Sequence, residues 1–212
     1  MSITVDELQI ADPADAWARA GFIVDPDSVC RIGSVRIRLV GRDRGKGIVG
    51  WSLRGLPLAF PDDLDGIPTR PSTAATAATA GSATHPNGVT GIDHVVVLSP
   101  DLDRTVASLA GIGVHPRRER DGELGGRAMR QIFFRFGEVI IEVVGSPETA
   151  SDGPSTLWGI TYVVADIDAT AAFLGDLTGP VKAAVQPGRR ITTLRHRDLG
   201  ISVRTAVISA RP

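Results

Sequence analysis

The sequence predicts an α+β protein of repeated βαβββ modules. Two modules pair into a cupped mixed sheet, and a third, degenerate half-module stands at the N-terminus. Three observations carry this. "FRFGEVIIEVVG" (Phe134–Gly145) can be laid over "CRIGSVRIRLVG" (Cys30–Gly41), with the arginine, the turn glycine, the β-branched residues and the final glycine coinciding. "GIDHVVVLSPDLDRTVASLAGIGV" repeats in outline as "WGITYVVADIDATAAFLGDLTG", and more loosely as "TVDELQIADPADAWARAGFIV". Between the first copy and the other two, "TRPSTAATAATAGSATHPNGVT" is small, polar and punctuated by Pro and Gly, with no period that could build a packed face. The expected division is a half-module over 1–68, a flexible linker over 69–88 and a paired domain over 89–212.

Each element has a local cause. In the N-terminal copy, Trp17 and Phe22 read as core, and Trp51 in "GIVGWSLRGLP" sits on an added strand that covers a sheet edge or a subunit interface. In the second copy, "GIDHVVVL" is a β-branched run that reads as a strand. "DRTVASLAGIG" then turns helical, with Val106, Leu109 and Ala110 on one face. Asp101 and Asp103 stand at its start, as Asp166 and Asp168 do in the third copy, where a carboxylate satisfies free N–H groups. The glycines of "FGE" and "LGI" suit tight hairpins. Each strand–helix–strand crossover should be right-handed, and the last three strands can pair as a meander. The helix covers one sheet face, and a second copy completes the cup.

Composition narrows the function classes. The 212 residues are 42% hydrophobic and 22% charged, with a formal net charge of −1, so no broad pull on nucleic acid or anionic membrane is expected. Cys30 is the sole cysteine, which rules out an intrachain disulfide. The start of the chain lacks the basic and apolar regions of a secretory signal, and a cytoplasmic, bacterial protein is expected. There is no phosphate loop, dinucleotide glycine fingerprint or nucleophile elbow. "GRDRGKG" is a basic turn.

The segments "GIDHVVV", "PDLDRT", "FRFGEVIIEVVG", "WGITYVVADIDAT" and "PGRRITTLRHRDLGISV" resemble the vicinal-oxygen-chelate superfamily, which includes glyoxalase I, extradiol dioxygenases and bleomycin-resistance proteins. The resemblance implies paired βαβββ modules around a cavity and a small-molecule ligand. It also implies a metal ligand at the first strand of a module and another on its fourth. His94 in "IDHVV" and Glu142 in "VIIEVV" stand at those positions. By strand alternation His94 shares a face with Val96 and Leu98, and Glu142 with Ile140 and Val144. An imidazole and a carboxylate together suit Zn²⁺, Ni²⁺, Mn²⁺ or Fe²⁺. Without metal they form a buried hydrogen-bonded pair, with Glu142 as a candidate general base.

The other copies depart from this pattern. The third offers Gly159 or Ile160 opposite His94 and Thr205 or Arg204 opposite Glu142, and the first offers Thr4 and Arg38. His196 is a candidate third ligand, His85 could fold over the mouth, and His115 starts a loop. Of Arg130 and Gln131, and of Arg189 and Arg190, alternation sends one of each pair inward, where an arginine would clamp a carboxylate or phosphate. Trp158 and Tyr162 are candidates to line an apolar pocket. The expected function is a glyoxalase-like enzyme acting on a small oxygenated metabolite, with a metal-free resistance-type binder as the alternative. Three modules leave one unpaired, which points to a homodimer with Trp51 near its contact.

Overall fold

The computed structural model describes residues 2–72 and 83–211. The first half runs β1 (Thr4–Ile10), α1 (Ala14–Arg19), β2 (Val29–Ile32), β3 (Val35–Leu39), β4 (Ile48–Arg54), β5 (Asp63–Leu64) and β6 (Ile67–Pro71). The second runs β7 (Val89–Leu98), α2 (Leu102–Gly111), β8 (Arg118–Leu124), β9 (Arg127–Phe136) and β10 (Val139–Gly145). It continues through β11 (Thr156–Val164), α3 (Ile167–Leu174), β12 (Lys182–Ala183), β13 (Arg190–Thr193) and β14 (Arg204–Ser209). Asp101 and Asp166 cap α2 and α3, accepting from backbone N–H groups of the first turn. The buried line of α2 is Leu102, Thr105 and Leu109; of the apolar trio read in the sequence, Leu109 is buried and Val106 packs partly buried against the core.

The two mixed sheets share one design. Their strand orders are β2-β3-β1-β4-β6-β5 and, read the same way, β8-β9-β10-β7-β11-β14-β13-β12. In both, the fourth strand of a module lies parallel to its first (β3 with β1, β10 with β7), and that first strand lies antiparallel to the next module's first strand (β4, β11). The hairpins agree residue for residue: Cys30 faces Ile37 as Phe134 faces Ile141. The N-terminal sheet therefore carries a fourth module in eroded form. β4 answers to β11, β6 to β14 and β5 to β13, while residues 55–62 stand where a helix would be. Thr69 and Thr205 even share a contact, each hydroxyl donating to the carbonyl two residues earlier.

The sheets pack back to back. Leu8, Ile37, Trp51 and Leu53 of one and Val95, Ile141, Phe134 and Phe136 of the other are fully buried in one continuous core. Trp51 stacks on Phe136 at 5.6 Å, and Phe22 meets Tyr162 at 5.4 Å. Trp51 is thus in the core of its own chain. The N-terminal sheet is already covered, so the third module is paired within its own chain and Trp51 is not on an exposed contact surface. The ends of the expected linker are structured: Thr69–Pro71 belong to β6, while His85 and Asn87 are buried. Its centre, residues 73–82, lies outside the described residues. No helix among the described residues is long and apolar enough to cross a membrane.

A polar latch ties the halves together. Asp65, in the turn between β5 and β6, accepts from the Ser155 hydroxyl at 2.6 Å and from Arg104 and Thr105 of α2. Its side chain is 3% exposed, so removing the carboxylate takes the acceptor from the buried Ser155 hydroxyl, while Arg104, 39% exposed, can turn to water and Thr105 keeps the Asp101 carbonyl. Asp65→Ala is expected to cost about 1–3 kcal/mol. Chemical denaturation would check this, with an unchanged midpoint speaking against the latch.

Candidate functional site

The face of the C-terminal sheet turned away from the core is lined by half-buried residues from neighbouring strands: Val96 and Leu98 on β7, Ile140 and Val144 on β10, and Phe133 on β9. His94 and Glu142 stand on this apolar floor. β7 and β10 are adjacent and parallel, with Ile140 opposite His94 and Glu142 opposite Val96, so the two side chains converge diagonally. His94 Nε2 lies 3.5 Å from a Glu142 carboxylate oxygen, at the outer limit of a hydrogen bond.

Both partners are held from behind. His94 Nδ1 is 2.8 Å from Asp93. The other Asp93 oxygen accepts from Arg189 at 2.5 Å. Arg189 is itself fixed to the Ser209 carbonyl at 2.7 Å and to Gln186 at 2.5 Å. On the far side, the Gln131 amide donates to Glu142, and its carbonyl accepts from Arg120 Nε at 2.8 Å. The result is one chain, Arg189–Asp93–His94–Glu142–Gln131–Arg120, lying across the face. Asp93 enters it through a β-bulge: against β11, His94 pairs with Thr161 but Ile92 pairs with Tyr162, so Asp93 is the extra residue.

With Nδ1 committed to Asp93, Nε2 is the nitrogen free to take or give a proton, and it faces Glu142. Burial works to raise the Asp93 carboxyl, but hydrogen bonds from His94 and Arg189 outweigh it and bring it from an ordinary 3.8 down to about 2. A folded carboxyl held below its unfolded value stabilises the protein fully above about pH 4, and that stabilisation is lost as pH falls through about 2. The difference corresponds to about 2 kcal/mol. Asp93→Asn should lose that amount near neutrality and converge on the wild type only below about pH 2. A gap independent of pH would contradict the ionised assignment.

The remaining expected residues fall elsewhere. Arg130 pairs with Asp121 at 2.7 Å on the outer β8–β9 ribbon. Arg190 is exposed and bidentate to Asp168. Trp158 is 41% exposed, with the Arg204 guanidinium 4.7 Å above its ring. Tyr162 points into the core between the sheets and is fully buried, so it lines no pocket on this face. His85 is not a mouth residue: it is buried, accepts from the Ile23 N–H at 3.0 Å and contacts the Arg31 carbonyl. His196 is bound to the Ile201 carbonyl in a turn, and His115 is an exposed loop residue. Cys30 is buried and its thiol pushed up to about 12 by that burial, which suits a core residue.

A divalent metal finds only half a ligand set. Besides His94 and Glu142, the neighbouring module presents Gly159, Thr161, Arg204 and Ala206 on this face. No cluster of three or more His, Cys, Asp or Glu among the described residues could hold a metal. These donors do not fit a closed divalent site. The first sheet shows a different outcome at the same positions. The strand register puts Glu7, not Thr4, opposite His94, and Arg38 opposite Glu142. Glu7 and Arg38 pair at 3.1 Å, and the bulged Asp6, which answers to Asp93, is tied to Arg36 at 2.6 Å and to Arg54. Its acids are consumed in ion pairs.

No family model matches the sequence, and no curated protein does. Solved structures do match. A variant of 4-hydroxymandelate synthase from Streptomyces coelicolor is 18% identical, with a TM-score of 0.63 over 100% of this chain and 94% of that one. A fusion of a xylose isomerase-like TIM barrel with 4-hydroxyphenylpyruvate dioxygenase is 14% identical, with a TM-score of 0.64 over 100% of this chain and 49% of that one. Methylmalonyl-CoA epimerase from Mycobacterium tuberculosis matches more loosely, with a TM-score of 0.46 and 17% identity over 59% of this chain and 91% of that one. At these identities the likeness is one of fold.

Proposed function

We propose that this chain, which has the vicinal-oxygen-chelate fold in two copies, is an enzyme of that fold whose C-terminal sheet carries out proton transfer on a small oxygenated molecule. The observation that carries this is the Asp93–His94–Glu142 arrangement on an open, apolar face. A histidine with one nitrogen fixed by a buried carboxylate presents the other as a base; the adjacent Glu142 carboxylate is placed to receive the abstracted proton from Nε2, and the same path in reverse delivers a proton to carbon. A C–H next to a carbonyl is the substrate chemistry that such a pair serves. The apolar floor of Val96, Ile140 and Phe133 lies beside the reacting groups and strengthens their electrostatics by displacing water. The N-terminal sheet, its equivalent acids locked to arginines, supports the other sheet and does no chemistry.

The test is exchange. Incubated in deuterated buffer with a panel of small carbonyl compounds, the protein should incorporate deuterium at the α-carbon of at least one, read by proton NMR. A resistance-type binder of the same fold would shift the resonances of a ligand without exchanging its protons, and that outcome would replace the enzyme reading.

A further inference from the structure

A cleft of about 210 Å³ is walled by Asp93, Ile140 and Val163 together with Ile92 and Ala210; His94 and Glu142 do not line it but follow Asp93 on β7 and Ile140 on β10. Its charged groups are not equivalent. Arg189 is 4% exposed and spent on Asp93, Gln186 and the Ser209 carbonyl. Asp93 is likewise spent on His94 and Arg189. Arg135, Arg211 and Glu138 also line the cleft, are exposed, and make no ion pair among the described residues. One positive charge is therefore in excess and available to a ligand.

The position of Arg135 gives that charge a purpose. Arg135 lies directly opposite Ile140 on β9, and Ile140 lies directly opposite His94 on β7. The backbones of Arg135 and His94 are two strand spacings apart, roughly 10 Å, with both side chains on one face. The Arg135 side chain lines the cleft together with Ile140. We propose that the cleft is the anion subsite of the reaction, with Arg135 clamping the carboxylate-type oxygens of a small acid whose carbon skeleton lies on Ile140 and reaches His94. This assignment rests on the acid–base reading of His94 and Glu142.

Calorimetric titration of the full chain with butanoate, butanamide and inorganic phosphate tests this. Butanoate is expected to bind one equivalent and the isosteric amide not to bind. Arg135→Gln should weaken butanoate by about tenfold or more, the loss of a charge-assisted clamp. Arg130→Gln, on the outer ribbon, should leave it unchanged. Phosphate binding more tightly than butanoate would assign the same subsite to a phosphoryl group. Equal binding of acid and amide, an unaltered affinity in Arg135→Gln, or no saturable anion binding would overturn the proposal. His94→Gln separates the two ideas. It should keep butanoate binding while losing exchange. Retained exchange in that variant would sink the acid–base reading and leave the subsite standing.

Discussion

His94→Ala is expected to lower kcat/KM for proton transfer by roughly 10²- to 10⁴-fold, the usual worth of a positioned general base. The loss should appear mainly in kcat, because Nε2 acts on the proton in flight and contributes little to holding the substrate. Glu142→Gln should lose activity as well, since the amide keeps the shape and hydrogen bonds but cannot carry the proton. Stability should change little in Glu142→Gln, whose side chain is 12% exposed and already hydrogen-bonded to Gln131. A variant with full activity would remove its residue from the acid–base pair. One that merely unfolds would show up as a lowered melting temperature in place of a lowered kcat.

Trp51→Ala is expected to destabilise the chain by about 3–5 kcal/mol, as for other large aromatic truncations. Trp51 is 1% exposed, stacks on Phe136 across the interface between the sheets, and donates to Thr69 at 2.7 Å. The cavity would open at the seam of the two halves. For a chain of this length the loss corresponds to a drop of roughly 10 °C in Tm. Trp51→Phe should recover most of it. Because the halves share one core, thermal unfolding should shift as a single transition. Two separate transitions, with only the earlier one moved, would mean that the sheets are independent domains.

The placement of His94 and Glu142 on one face was legible because alternation is a strong rule on a strand, and Gln131 is beside them. The β2–β3 and β9–β10 hairpins were legible because their residues coincide at a constant offset. Two of the misses share a cause. β-Bulges break alternation without marking the sequence. One bulge on β7 brings Asp93 onto the face of His94, and another between Leu157 and Gly159 sets Trp158 and Tyr162 on opposite faces despite their even spacing. Arg120 was missed because it reaches the site only through Gln131. The fourth module gave no repeat signal because it kept its strands and lost its helix. Glu7 was passed over for Thr4 for a related reason: outline alignment cannot fix register, whereas the β1–β3 pairing does.

The proposed proton transfer belongs to Asp93, His94 and Glu142, with no complete metal site behind it among the described residues. The most direct measurement is the rate of α-deuterium incorporation in three samples: untreated protein, protein dialysed against a chelator, and His94→Ala. The account predicts equal rates in the first two and a loss of at least about 10²-fold in the third. A rate that vanishes on chelation and returns with Zn²⁺, Ni²⁺, Mn²⁺ or Fe²⁺, or one that survives in His94→Ala, would contradict it.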